Sequence, residues 1–381
     1  MKNRISSPVF FLLVASLLLT ACGPAATPAP TTLPTAASPE TPTLAPSPTA
    51  PQAVTVTDAL GRQVTLPSPP QRIVITGKAL IIIADAVYIF PEAPQRIMAL
   101  GSASQGTSNF IALIDPDYAE KATIQPDAGA EQIAALHPDL VILKSYLAET
   151  VGAPIEALGI PVIYLDFETP EQYTRDLGIL GQVFQNEARA QEVAAFYQSR
   201  VAQIQAAVSD VAVKPKVLML YYTDRDGAVA FNVPPRAWMQ TRLVEMAGGI
   251  PLWVDTNLGK GWTQVTLEQI AAWDADDIFV ISYVKNSSEV AAGLKSDPQW
   301  QALRAVREGR LYAFPGDLYS WDQPDTRWIL GLTWLAARLH PERFPQMDIV
   351  AEAQQFYQAL YGLDQAFFEQ HIRPTFRGDL P

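Results

Sequence analysis

Residues 131–143 read EQIAALHPDLVIL, and residues 268–280 read EQIAAWDADDIFV. Each stretch begins with strong helix formers, passes through a short polar turn, and ends in an apolar run that is too short for a helix. Such a run is typical of a strand in a parallel sheet whose two faces are both covered. Because one unit of this kind cannot bury its own strand, two distant copies predict two α/β lobes with a ligand cleft between them. The five-residue identity could also recur by chance, so the flanking sequence has to decide between a structural repeat and a coincidence.

The flanking sequence continues the alternation of strands and helices around each copy. An N-terminal lobe over residues 54–169 is predicted to contain a hairpin at 54–66, strands at 72–76, 96–100, 140–143 and 162–165, and helices at 78–90 and 149–158. Residues 170–210 carry apolar residues at helical spacing, which predicts one long rigid helix, or two helices in line, between the lobes.

The C-terminal lobe, over residues 211–381, repeats this pattern. Its predicted strands lie at 216–221, 252–254, 278–282 and 310–314, and a polar loop follows the first strand. Its predicted helices lie at 237–246, 325–339 and 349–360, with a helix pair around 290–306. The expected fold class is therefore α/β, with two Rossmann-like lobes built on parallel sheets, one long rigid connecting helix, and a ligand cleft between the lobes.

The N-terminal residues predict export and attachment to a membrane. Lys2 and Arg4 precede an apolar run over residues 9–19, which is too short for a lasting transmembrane helix and typical of a secretory signal. Leu19-Thr20-Ala21-Cys22 then resembles the lipobox of bacterial lipoproteins, so residues 1–22 are predicted to be a lipoprotein signal peptide with Cys22 as the lipidated residue. An ordinary signal peptide is the alternative. Residues 23–53 are almost only Pro, Ala, Thr and Ser and are predicted to be a disordered tether.

Composition excludes several kinds of site. The chain of 381 residues carries a formal charge of −12, which argues against nucleic acid as a partner. A single cysteine excludes an internal disulfide and a multi-cysteine metal site. The 3 histidines, His137, His340 and His371, do not look like members of one site, so capture of bare zinc or manganese is not expected. No cofactor is expected either.

Several local sequences resemble the class III periplasmic substrate-binding proteins of ABC importers, the Fe/B12 type. The hairpin residues 57–62, TDALGR, and the following 70–74, PQRIV, look like the entry of that family. Residues 136–142, LHPDLVI, resemble its "leucine, x, proline, aspartate" strand entry. The resemblance extends from about residue 54 to the end, with the Fe/B12 periplasmic-binding domain over about residues 71–345.

The resemblance implies partners and a location. Glu131 and Glu268 lie where the family carries one surface glutamate per lobe for docking on permease arginines. The alternative is that both are solvated glutamates favoured by the dipole of a helix N-terminus. The implied protein is a lipid-anchored, extracytoplasmic monomer that captures a small molecule and delivers it to an ABC permease and its ATPase.

Aromatic and basic residues that follow strand ends or lie in loops suggest a bulky or anionic ligand. Within this family the sequence favours an iron complex of the siderophore type, with a corrinoid or a molybdate- or tungstate-type oxyanion as alternatives. Arg327 and Trp321 are expected to converge at one loop-to-helix turn, while Trp238, Trp273 and Trp334 are expected in the core. The candidate ligand-binding residues are Lys78, Lys144, Tyr146, Tyr222, Arg225, Trp262, Tyr283, Tyr319, Trp321 and Arg327.

Two functions of other classes compete with solute binding. An extracellular α/β hydrolase would need a nucleophile, but the chain has no Gly-x-Ser-x-Gly elbow and its only thiol is expected to be acylated. A Ser-His-Asp set remains open, although none of the 3 histidines follows a strand where a base would be presented. An adhesion or assembly lipoprotein with an empty cleft also remains open. We do not expect an enzyme.

Overall fold

The structure is a computed structural model that describes residues 53–102, 109–125, 127–256 and 259–380. The predicted signal peptide, Cys22 and all of the predicted tether except Ala53 lie outside these residues. Within the described part of the chain, no helix is long and apolar enough to cross a membrane.

The strands follow in chain order as β1 (Val54–Thr57), β2 (Gln63–Leu66), β3 (Ile73–Ile75), β4 (Ile97–Gly101), β5 (Ala122–Ile124), β6 (Leu140–Lys144), β7 (Val162–Leu165), β8 (Lys216–Arg225), β9 (Ala228–Val233), β10 (Ile250–Pro251), β11 (Thr263–Val265), β12 (Asp277–Ile281) and β13 (Leu311–Ala313). The helices are α1 (Leu80–Val87), α2 (Ala93–Arg96), α3 (Phe110–Ile114), α4 (Ala130–Ala134), α5 (Ala153–Glu156), α6 (Pro170–Phe184), α7 (Glu187–Val208), α8 (Met239–Met246), α9 (Leu267–Trp273), α10 (Ser287–Ser296), α11 (Pro298–Gln301), α12 (Arg304–Arg307), α13 (Trp328–Leu339), α14 (Ile349–Tyr361) and α15 (Gln365–Phe367).

The N-terminal lobe has a parallel sheet in the order β5-β4-β3-β6-β7. Every residue of β6 is buried, as the apolar run at the end of the first repeat predicts. The prediction of four strands misses β5, which has three residues and, unlike the equally short β3, no apolar run because only its last residue is buried. The helix predicted at 149–158 is one π-helical turn, Ala148–Gly152, followed by the short α5.

The C-terminal lobe has a mixed sheet in the order β11-β9-β8-β12-β13, with β10 beside β8. Its β8, β12 and β13 are parallel, whereas β9 is antiparallel to both β8 and β11. The polar loop predicted after residue 221 is wrong, because β8 continues to Arg225 and returns as β9 through Asp226 and Gly227. Both turn residues have positive φ, at 52° and 85°, as a two-residue hairpin turn requires.

The two sequence repeats occupy equivalent positions in the two lobes. Each begins a helix, α4 or α9, and the glutamine side chain at the third helical position, Gln132 or Gln269, accepts a hydrogen bond from the N-cap backbone N–H. Ile133 and Ile270 are the buried residues of the two helices. These shared residues therefore have shared structural roles.

An aspartate just before the buried strand of each repeat holds the first strand of the main sheet in its lobe. Asp139 accepts hydrogen bonds from the backbone N–H groups of Gln71 and Arg72, at 2.7 and 2.9 Å, just before β3. Asp276 accepts one from the N–H of Lys216, at 2.8 Å, at the start of β8. The repeat thus aligns the central parallel strands of both sheets.

The connection between the lobes contains the expected long helix, α7, but its two helices are not in line. Gln185 adopts a left-handed conformation with φ 55°, and Asn186 caps the start of α7, so the chain reverses between α6 and α7. The rings of Tyr173 and Tyr197 lie 5.4 Å apart across the resulting pair. The ring of Trp328, at the start of α13, stacks on Tyr197 at 5.2 Å, which ties the pair to the C-terminal lobe.

A fully buried ionic cluster joins the two lobes. Arg327 of the C-terminal lobe contacts Asp85 on α1 at 2.6 Å, Asp317 at 2.9 Å and Asp325 at 3.1 Å, and all four side chains are 0% exposed. Burial raises the pKa of Asp85 and of Asp325 above the ordinary 3.8, and the nearby guanidinium only partly opposes this effect. Repulsion from the neighbouring carboxylates adds to the effect of burial, because three carboxylates share one guanidinium away from water.

We expect Asp325→Asn to gain stability relative to the wild type as the pH rises. A carboxyl whose pKa is raised in the folded state contributes stability that is complete below about pH 4 and is lost as the pH passes the folded-state pKa. The asparagine amide of the variant does not titrate, so the variant does not lose this stability as the pH rises. The difference in Tm, variant minus wild type, should be more positive at about pH 8.5 than at about pH 5. An equal difference at both pH values would contradict this, and Asp210→Asn at the exposed Asp210 serves as the control.

Candidate functional site

A cleft of about 450 Å³ lies at the carboxyl ends of the strands, where residues of both lobes meet. This is the position expected for a ligand site in sheets of this kind. Gly77, just after β3, has φ 98°, and a Cβ there would lie 2.5 Å from the Leu147 side chain, so only glycine fits this turn toward the cleft. The residues that line the cleft are Ala79, Ile82, Tyr146, Glu168, Trp238, Gln240, Lys260, Trp262, Tyr283, Gln323 and Pro324.

Aromatic rings form one wall of the cleft. The Trp262 ring lies 4.8 Å from Tyr221, 5.5 Å from Trp238 and 6.4 Å from Tyr283. Tyr221 and Tyr283 are 4.5 Å apart. Because each ring supports its neighbours, the wall offers an apolar surface that keeps its shape. The prediction that Trp238 lies in the core is wrong, because this residue, which stands just before α8, lines the cleft.

A buried carboxylate lies behind the cleft floor, which we define as Gln240, Tyr283 and Gln323. Asp322, at 0% exposure, accepts hydrogen bonds from the Tyr283 hydroxyl at 2.7 Å and from the Gln240 amide at 3.1 Å. Its other oxygen lies 2.5 Å from the Ser320 hydroxyl. Burial raises the pKa of Asp322, while these hydrogen bonds partly offset the effect. The floor is therefore ordered by one acidic side chain that does not itself line the cleft.

Lys144 is not a free cation in the cleft, contrary to its proposed role as a ligand contact. Its side chain is 1% exposed, and its ammonium group lies 2.5 Å from Glu168 and donates to the Asp166 carbonyl oxygen. Glu168 lines the cleft and is 34% exposed. Lys144 thus balances the charge of the cleft carboxylate from behind.

Tyr222 lies on the wrong side of β8 for the cleft. Successive residues of a strand point to opposite faces, so Tyr221 joins the aromatic wall while Tyr222 contacts Phe231, with ring centres 5.8 Å apart, in a separate groove. Arg225, at the end of β8, is exposed and does not line the cleft. Lys78 is also exposed, next to the cleft residue Ala79.

Tyr319, Trp321 and Arg327 are buried in the interior and do not line the cleft. All three are 0% exposed. The Trp321 indole N–H donates to Asp317 at 3.0 Å, and the Tyr319 hydroxyl accepts from the backbone N–H of Phe110 at 3.0 Å. The expected convergence at one turn exists, but it forms the ionic cluster between the lobes. Of the proposed ligand contacts, the cleft contains Tyr146, Trp262 and Tyr283.

Glu131 and Glu268 are exposed in the first turns of α4 and α9, far in sequence from each other but equivalent in the two lobes. Hydrogen bonds from its own backbone N–H and from Thr266 lower the pKa of Glu268. Either role proposed for the pair, docking or stabilisation of the helix N-terminus, requires this placement.

Sequence reasoning missed Glu168, Gln240, Lys260 and Gln323. Glu168 and Gln323 follow strand ends by several residues, and Gln240 is the second residue of α8, so no motif marks them. The one available signal was position after a strand, which applies to Glu168, three residues beyond the end of β7. Among the described residues, no group of three or more His, Cys, Asp or Glu could hold a metal ion.

Comparison with known proteins gives consistent matches. A family model for periplasmic binding proteins matches residues 115–318. The molybdate-binding protein MolA of Haemophilus influenzae is 25% identical, over 80% of this chain and 90% of its own. The iron-uptake system-binding protein of Bacillus subtilis is 23% identical, over 51% of this chain and 61% of its own. A periplasmic solute binding protein from Veillonella parvula matches in structure with a TM-score of 0.68 and 22% identity, over 84% of this chain and 97% of its own.

We expect Tyr221→Ala to weaken ligand binding at least about tenfold, because its ring supports Trp262 and Tyr283. Tyr222→Ala, one residue along the same strand, should leave binding within about twofold, because its ring faces away from the cleft. Isothermal titration with a ferric hydroxamate, cyanocobalamin and molybdate identifies a probe that binds and measures both variants. Equal losses in the two variants would show that the wall of the cleft is wrongly assigned.

Proposed function

The chain belongs to the periplasmic binding protein family, and on that premise we propose that it is the extracytoplasmic solute-binding component of an ABC importer. In this role the cleft captures a ferric chelate of the siderophore type, and the loaded protein delivers it to a membrane permease driven by its ATPase. The main observation in favour of a ferric chelate as the ligand is the aromatic wall of the cleft, which has a volume of about 450 Å³. The role requires no catalysis.

The size and lining of the cleft favour a bulky ligand. Its volume of about 450 Å³ lies within the range of roughly 300–1,000 Å³ in which pockets bury drug-sized molecules. Indole and phenol rings bury flat apolar surface, which the organic shell of a chelate supplies. A bare four-oxygen anion would leave most of this surface without contact. Molybdate is nevertheless the second candidate, because MolA is a molybdate-binding protein with 25% identity to this chain.

We place the protein at the outer face of the cell membrane. In this proposal a lipid on Cys22 provides the anchor, residues 23–53 form the tether, and residues 54–169 and 211–381 form the two lobes. A monomer held in this way stays within reach of its permease while its cleft remains open to solutes.

The ligand can be tested through the tryptophans of the cleft. Binding of ferrioxamine B, a ferric trihydroxamate, should quench tryptophan fluorescence because Trp238 and Trp262 line the cleft. Trp262→Phe should reduce the amplitude of quenching while retaining an aromatic wall. Trp334→Phe should leave the ligand-dependent amplitude unchanged, because Trp334 packs against Phe279 and Phe314 in the core. Quenching and calorimetric binding by molybdate alone would favour the second candidate.

We propose that Glu131 and Glu268 dock on the permease. Of the five residues that are identical in the two repeats, Gln132 and Gln269 cap the helices and Ile133 and Ile270 fill the core, whereas Glu131 and Glu268 are the charged pair and are exposed. Equivalent exposed carboxylates on both lobes suit a partner with two basic sites.

The double variant Glu131→Ala/Glu268→Ala should keep its ligand affinity and lose uptake in reconstituted vesicles that contain the permease. The physical reason is that neither carboxylate lines the cleft, so only docking depends on them. Glu187→Ala/Glu369→Ala removes two other exposed glutamates from first helical turns and is the matched control. Undiminished uptake by the first double variant would refute the docking role.

A further inference from the structure

We propose that the cleft floor is a receptor for a carboxamide group of the ligand and that Asp322 is its positioning residue. The inference rests on the proposed binding function and names the chemical group that the site selects. Gln240, Tyr283 and Gln323 all line the cleft, and Asp322 bonds directly to the first two. Carboxamides occur both in the linkages of many organic chelates and at the periphery of corrinoids. Either class of ligand could therefore supply the carboxamide group.

Asp322 determines the direction of the hydrogen bonds on the floor. Tyr283 has one hydroxyl proton and gives it to Asp322 at 2.7 Å, so its oxygen can only accept a bond from a ligand. Gln240 directs its amide nitrogen to the same carboxylate oxygen at 3.1 Å, with a longer contact of 3.4 Å to Tyr283, which leaves its own carbonyl oxygen as an acceptor.

Two amide atoms of the floor have no hydrogen-bond partner among the described residues. They are the carbonyl oxygen of Gln240 and the amide nitrogen of Gln323, and both side chains are 3% exposed. An unpaired buried polar atom carries a free-energy cost that a ligand group can remove. The last torsion of a glutamine side chain is softly restrained, so either amide can adjust its direction to a ligand group in the cleft.

A carboxamide complements this arrangement. Its N–H groups can donate to the acceptors of Gln240 and Tyr283, and its carbonyl oxygen can accept from Gln323. A primary carboxamide supplies two N–H groups and one carbonyl, and a secondary one supplies one of each. The aromatic wall, with Trp262 at its centre, takes the flat surface that surrounds such a group.

The same floor disfavours a fully deprotonated oxyanion. Such an anion can only accept hydrogen bonds, whereas Gln240 and Tyr283 present acceptors to it. The charged groups at the cleft are also balanced. Glu168 and Lys260 line it, while Lys144 and Asp322 bond to lining residues, which makes two acidic and two basic side chains. The site therefore lacks the surplus of positive charge that would favour a doubly charged anion.

The test measures wild type and Asp322→Asn by isothermal titration with ferrioxamine B, cyanocobalamin and molybdate. The first two probes carry carboxamides from the two sources, and the third carries none. An asparagine can donate from its amide nitrogen, so it can reverse the bonds to Tyr283 and Gln240. We expect the wild type to bind at least one carboxamide probe more tightly than molybdate. Asp322→Asn should lower that preference at least tenfold, while Asp277→Asn, at a buried carboxylate at the start of β12, should preserve it.

Gln240→Met provides a second variant that keeps the length of the side chain and removes the acceptor. It should also lose several-fold in affinity for the carboxamide probe and not for molybdate, and it keeps the proposal testable if Asp322→Asn does not fold. Equal losses for all probes would show a merely structural role and overturn the proposal. Tighter wild-type binding of molybdate would overturn it while leaving the importer function intact. Failure of all three probes to bind would overturn the proposed ligand class as well.

Discussion

The contact between Arg327 and Asp85 is the interaction on which the arrangement of the lobes depends. It joins the C-terminal lobe to α1 of the N-terminal lobe at 2.6 Å with both groups fully buried. Removing one partner of such a pair leaves an uncompensated charge and typically costs about 3–5 kcal/mol. The rings of Phe110 and Tyr319 lie 4.5 and 4.8 Å from the guanidinium carbon and keep water away from it. The cleft is thus bordered by lobes whose relative position is held by a strong and specific contact.

The cleft is lined by few charged side chains, in contrast to the buried ionic cluster around Arg327. Its carboxylate, Glu168, is balanced by Lys144 from behind, and its floor is ordered by Asp322 without direct exposure of that group. What the cleft presents is aromatic surface and hydrogen-bonding groups of fixed direction. This combination selects a ligand by shape and by the placement of its donors more than by its charge.

The architecture could be predicted from the sequence wherever a sequence pattern was compatible with only one local structure. The repeated helix, turn and buried strand required two lobes, and the hairpin, the long helix and most strands followed from periodicity. The Asp-Gly pair at 226–227 was a usable signal for the β8–β9 hairpin, but the polar residues around it favoured a loop interpretation.

The site was harder to predict because the direction in which a side chain points, and not its residue type, decides whether it lines the cleft. Tyr221 and Tyr222 are identical in type, and only the register of β8 decides which one joins the cleft wall. Arg327 looked like a ligand contact because it follows Trp321 at a loop-to-helix turn and a guanidinium can pair with anionic oxygens, yet three aspartates make its complete burial possible. Two of those aspartates are close in sequence, but Asp85 is distant, and no local pattern connects it with Arg327.

That distance also has a consequence for the time course of folding. Asp85 and Arg327 are separated by 242 positions, so a chain that emerges N-terminus first exposes the carboxylate long before its guanidinium partner has been synthesised. Until then α1 cannot close against the rest of the protein without burying an unpaired charge. Contacts between such remote segments are slow to form because a long loop must close first. A partly synthesised chain would therefore remain incompletely folded until the segment that carries Arg327 has been made.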